Sequence, residues 1–173
     1  MNDLIRFYKN EIPCSSGHTI DEIIGWDDLK LEGIHNYIQW VFPIEEPSAF
    51  NIHCPVLMPE DVFEFASDPE IKNRFYLILH KMFKFYGFKP ENKGMGFGLD
   101  FESRKHKLFS YKDHNQLRMT RILRCLCLLG FEELAHMFYN DCLIKGLERT
   151  GNNVNKETEE YWLEAIQTKP LKD

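Results

Sequence analysis

From Ile71 to Tyr86 the apolar residues return every three or four positions, a spacing that fits a helix with one buried face. Ile71, Phe75, Ile78, Leu79, Met82, Phe85 and Tyr86 share that face, and Asn73, Arg74, Lys81 and Lys84 occupy the other. The same period, punctuated by proline, glycine and capping residues, runs through most of the 173 residues. It predicts an all-α fold, a single-domain compact bundle of about eight helices over residues 1–173. A chain of this length can bury a real core. With 14 phenylalanines, that core is expected to be aromatic.

Local signals set the boundaries. A first helix, "NDLIRFYKNEI", stops at Pro13. Thr19, with Glu22 three residues on, forms a capping-box signature before "IDEIIGW". Residues 30 to 42 read as a third helix ended by Pro43. Prolines 43, 47, 55 and 59 then predict an extended surface stretch. Pro59 opens "PEDVFEFA", and Ser67 or Asp68 caps the long amphipathic helix described above. Asp113 or His114 starts "NQLRMTRILRCLCLL", "FEELAHMFYNDCLIKGL" follows, and Asn155 caps "KETEEYWLEAI".

Residues 88 to 112 are the irregular part. In "MGFGLDF" apolar residues alternate, and "KLFSYK" could pair with it as a small β-hairpin near 95–111. "GMGFG" follows a helix and lacks a Lys-Ser/Thr, so it is not a phosphate loop.

No run approaches the roughly 18 apolar residues that cross a bilayer. The start, "MNDLIRFYKN", shows no secretory signal, so a cytoplasmic location is expected. Five cysteines fit a reducing compartment. Cys125, Cys127 and Cys142 fall on apolar helical positions, and Cys14 and Cys54 lie in loops where greater access is expected.

Two stretches could carry function. In "HNYIQWVFP", a continuous helix places Leu31, Ile34, Ile38, Val41 and Phe42 on one apolar arc, with His35 at its border and Gln39 and Glu32 beyond. Trp40 projects the opposite way, which implies a helix covered on most sides. His35 then reads as a hydrogen-bonded interior histidine, a ligand contact or a catalytic base.

The second stretch is basic: residues 103 to 124 hold seven Lys or Arg against one acid, in a chain of net charge −6. His114, Arg118, Arg121 and Arg124 lie along one side of a helix, beside Asn115. Buried guanidiniums need carboxylates, for which Asp27, Asp28 and Glu32 are candidates, or a bound anion. A sequence pI of 5.7 and the absence of a reader motif disfavour nucleic acid.

No zinc spacing, nucleophile elbow or dinucleotide fingerprint occurs. Cys14 with His18 is a pair lacking two further ligands. No cofactor or metal is implied.

The same residues carry a family resemblance. "HNYIQWVFP", preceded by "IDEIIGWDDLKLEGI", together with "FYKNEIP", "KMFKFYGF" and "HNQLRMTRILRCLCLLGFE", resembles the opioid growth factor receptor conserved domain, and the chain is similar to its short standalone bacterial members. Animal members are associated with binding the opioid peptide Met-enkephalin and with restraint of cell proliferation at the nucleus and its envelope. The resemblance implies a binding or interaction module for a peptide or small anionic ligand, with peripheral membrane association open to it. It transfers no catalytic residue. The expected ligand-contacting residues are Trp26, Asp27, Glu32, His35, Tyr37, Gln39, Trp40, His114, Asn115, Arg118 and Arg121. The arginines would hold a carboxylate, the aromatics would form a slot, and Asp27 or Glu32 would meet an amine. Two rival readings are a small enzyme acting on an anionic substrate with His35 as acid/base, and a purely structural oligomer-forming protein.

Overall fold

The computed structural model describes residues 2–49 and 51–172. They group into two compact units, one formed by the chain up to Met82 with its last residues from Leu171, the other by Phe83–Pro170. The architecture is all-α with a single two-stranded hairpin among the described residues.

In the first unit, α1 (Asp3–Tyr8) is capped by Asn2, whose side chain accepts from Ile5 N at 3.1 Å. The capping box expected at Thr19 opens α2 (Ile20–Ile24): Thr19 N donates to Glu22 at 2.7 Å and Glu22 N to Thr19 at 3.4 Å. Next come α3 (Asp28–Gly33) and α4 (Ile38–Val41), so the predicted helix over 30–42 is two short helices. Gly33 weakens the helix, and Ile34 turns extended at φ −96°, ψ 131°. The described residues between 42 and 58 hold no helix or strand, as the prolines require. They are not wholly superficial, because Leu57 and Asn51 are buried.

Pro59 opens α5 (Pro59–Ser67) and Asp68 caps α6 (Pro69–Phe85), accepting from Glu70 N at 2.9 Å. All seven residues of the predicted apolar face of α6 are buried. Edge-to-face rings form the core of this unit: Tyr8 on Phe65 at 4.6 Å, Phe65 on Phe75 at 5.6 Å and Phe7 on Trp40 at 5.3 Å. Such pairs add to the area they bury.

In the second unit, β1 (Phe88–Glu91) pairs antiparallel with β2 (Gly94–Phe97), Phe88 opposite Phe97. The hairpin is present, but the partner of "MGF" is the preceding strand. "KLF" instead ends α7 (Phe101–Leu108), where Phe101 and Leu108 are buried one helical stripe apart. Gly87 makes the entry possible, with φ +83° and a would-be Cβ only 2.6 Å from the Phe101 Cα.

Asp113 caps α8 (His114–Leu128), and α9 (Glu132–Met137) follows. From Phe138 to Ile144 the rod is π-helical before it resumes as α10 (Lys145–Thr150). Asn155 caps α11 (Lys156–Ile166), as its sequence predicts. The α8–α11 seam is pinned by Trp162, whose indole N–H donates to the Gln116 carbonyl at 3.2 Å. Asp141 ties the hairpin to the π-helical segment, accepting from Met95 N at 3.1 Å.

All five cysteines are free thiols. Cys14, expected to be accessible, is buried, because its loop folds back: Cys14 N donates to the His18 carbonyl at 2.8 Å. Burial pushes the Cys127 thiol up to about 11 and raises that of Cys142 as well, so both pack as small apolar groups.

Candidate functional site

Trp26 stands at the junction of α2 and α3, its main-chain N–H donating to Ile23. Its buried indole packs edge-on against His18 (5.0 Å) and Tyr37 (5.2 Å). Beside it opens a depression of about 340 Å³, lined also by His18, Asp21, Glu22, Gly25 and Lys30. Arg74 fixes Asp21 through two bonds of 2.8 and 3.2 Å, and also reaches Glu70 at 2.6 Å and the Tyr8 carbonyl at 3.2 Å. The Asp21 carboxylate, followed by burial working the other way and by Glu70, leaves the Arg74 pKa raised. Glu22 closes the capping box with one oxygen 3.9 Å from His18 Nδ1. Asp27, one of the expected contacts, caps α3 by accepting from Lys30 N at 2.9 Å. The depression therefore gathers two carboxylates, an exposed ammonium and a buried indole in one lining.

The "HNYIQWVFP" segment divides differently from the expectation. His35 is exposed, not interior: α3 ends before it, so it leaves the helical phase that would have turned it inward. Tyr37 is buried and its hydroxyl donates to the Leu31 carbonyl at 3.2 Å. Carbonyls in a last helical turn lack intrahelical donors, so this side chain serves as a cap. Gln39 is buried, with no hydrogen-bond partner for Oε1 among the described residues. Trp40 donates its indole N–H to Ser15 at 3.2 Å, and Asn51 donates to Ser15 and to the Asn36 carbonyl, each at 3.1 Å. Ser15 and Asn51 carry no sequence signal, because both lie in loops without periodicity. Glu32 is half-buried.

The remaining expected residues belong to the second unit. Asn115 and Arg118 are buried, and Arg118 donates to Asn115 Oδ1 at 3.2 Å. Arg121 and Arg124 are half-buried along the same helix side. Burial, opposed by Asp113 and aided by the charges of Arg118 and Lys107, lowers the His114 pKa. Among the described residues no group of three or more His, Cys, Asp or Glu could hold a metal ion. No described helix is long and apolar enough to cross a membrane.

A family model described as the opioid growth factor receptor (OGFr) conserved region matches residues 1–172. The chain is 36% identical to the opioid growth factor receptor of Rattus norvegicus, covering 94% of this chain and 29% of that protein. It is 35% identical to the opioid growth factor receptor-like protein 1 of Rattus norvegicus, covering 96% and 37%. Against the opioid growth factor receptor of Homo sapiens the identity is 33%, covering 94% and 25%. The chain thus spans between a quarter and two fifths of the length of these relatives. No solved structure matches it. With both compact units inside the matched region, the chain belongs to the opioid growth factor receptor family.

Proposed function

We propose that the chain is a receptor-type recognition module for a short peptide, and that Trp26 marks its contact surface in the first unit. The observation that carries this reading is the depression beside Trp26, whose lining brings Asp21 and Glu22 together with Lys30. A short peptide with free termini carries an ammonium and a carboxylate, and an aromatic side chain would complete the match against the indole. Asp27 and Glu32 are proposed as further contacts for the amine. Arg118 and Arg121 remain the proposed carboxylate-binding pair of the second unit. The names of the relatives support an opioid peptide as the first ligand to try.

Isothermal titration with Met-enkephalin tests the reading. Saturable binding is expected to weaken about ten-fold in Lys30→Ala, whose side chain is exposed, and in Glu22→Gln. Absence of saturable heat for this peptide and for an unrelated short aromatic peptide with free termini would overturn the proposal.

A further inference from the structure

The second unit carries its own depression, of about 410 Å³, where the starts of α8 and α11 meet. Its floor is polar and already engaged. Gln116, 2% exposed, donates to the Leu108 and Ser110 carbonyls at 3.1 and 2.8 Å and accepts from Thr158 at 3.3 Å. A floor locked in this way is preformed rather than induced.

Two of its lining residues, Leu117 and Tyr161, offer apolar surface. Leu117 is 57% exposed and Tyr161 40% exposed, although both sit on helices where a polar residue would serve equally well. Tyr111, 69% exposed, adjoins them through its carbonyl, which accepts from Asn155 N at 3.2 Å.

The rim of α11 is acidic. Tyr161 donates to Glu157 at 2.8 Å. That bond, together with the charges of Glu157, Glu164 and Glu160, raises the Tyr161 pKa. Asp113 is occupied in capping α8. Lys112, on the lining, Lys156, at the start of α11, and Lys107, whose charge reaches His114, are the opposing charges.

From this combination of an apolar cleft and an acidic edge we infer a docking surface for a basic amphipathic segment of a partner protein. A leucine-sized side chain seats between Leu117 and Tyr161. Lysines or arginines one helical turn away meet Glu157, Glu160 and Glu164. Helix-in-groove recognition works through such spaced anchors. This surface is separate from the Trp26 depression and does not depend on the reading given there.

Fluorescence anisotropy tests it with labelled helical peptides of about 16 residues. One carries leucine and lysine at helical spacing, one leucine and glutamate, and one serine and lysine. At about 0.15 M salt, where separated exposed charges are largely screened, the leucine–lysine peptide should bind saturably. The other two should bind at least about ten-fold more weakly. Leu117→Ser, and Glu160→Gln combined with Glu164→Gln, should each weaken binding about five-fold or more. Glu132→Gln with Glu133→Gln, removing equal charge from α9, should leave it unchanged. Equal loss in that control would reduce the effect to general charge attraction and overturn the docking surface. So would preference for the leucine–glutamate peptide, or self-association of the chain that Leu117→Ser abolishes, which would assign the face to a second copy.

Discussion

The Tyr37 hydroxyl donates to the Leu31 carbonyl at 3.2 Å across the break that separates α3 from α4. The side chain of one short helix's entry thereby closes the end of the other. Replacing Tyr37 with Phe keeps the ring and removes only the donor. The expected cost is about 1–3 kcal/mol in urea denaturation, the range for a buried carbonyl deprived of its partner. Unchanged stability would mean that the break is held by backbone geometry alone.

Gly146 sets two effects against each other. In an ordinary helix interior, Gly→Ala stabilises by about 1 kcal/mol. Here a Cβ would run into the ring of Phe109. Overpacking of that kind costs about 1–3 kcal/mol, so Gly146→Ala should be net destabilising. Adding Phe109→Leu should recover part of the loss, and thermal melts of the two variants and their combination measure the coupling.

Asp141 has its pKa lowered, first by the hydrogen bond from Lys145 at 2.7 Å, against burial, and also by Met95 N. A carboxylate depressed in the folded state contributes stability that is present above its unfolded value. That contribution is lost as pH falls through the folded one. The stability gap between the natural chain and Asp141→Asn should therefore be full at neutral pH. It should narrow once pH drops below about 4, the ordinary aspartate value. Denaturant midpoints across that range test it, and a gap that widens with acid would contradict the assignment.

Caps and the long amphipathic stripe were legible in the sequence because their information is local. Thr19 with Glu22, and Asn155 ahead of its acidic first turn, each specify a helix start within four residues. His35 was not legible. The apolar spacing on either side of Gly33 is compatible with one helix or two, and only the Tyr37–Leu31 bond and the extended Ile34 decide for two. The hairpin is legible in kind but its second strand is not, since "KLF" satisfies a strand pattern and a helix pattern equally. Trp26 was visible as a motif residue. Its depression was not, because its lining, all within residues 18–30, is gathered by the bend between α2 and α3, which leaves no periodic trace. The Ser15–Asn51 contact, 36 residues apart between two loops, leaves no periodic trace.

The π-helical turns at Phe138–Ile144 act as a phase shifter within a continuous rod. A wider turn advances each residue by less than the α-helical angle of about 100°, so the rod downstream is rotated relative to an uninterrupted α-helix. Asp141 can then be aimed at the hairpin while Gly146, five residues later, is turned under the Phe109 ring. The reading frame of this segment is consequently fixed by what lies on both sides of it. Loss of a single residue between 138 and 144 would let the rod relax to a uniform α-helical pitch with Gly146 still in phase, whereas straightening the segment at unchanged length would dial Gly146 away from the ring that requires its missing side chain.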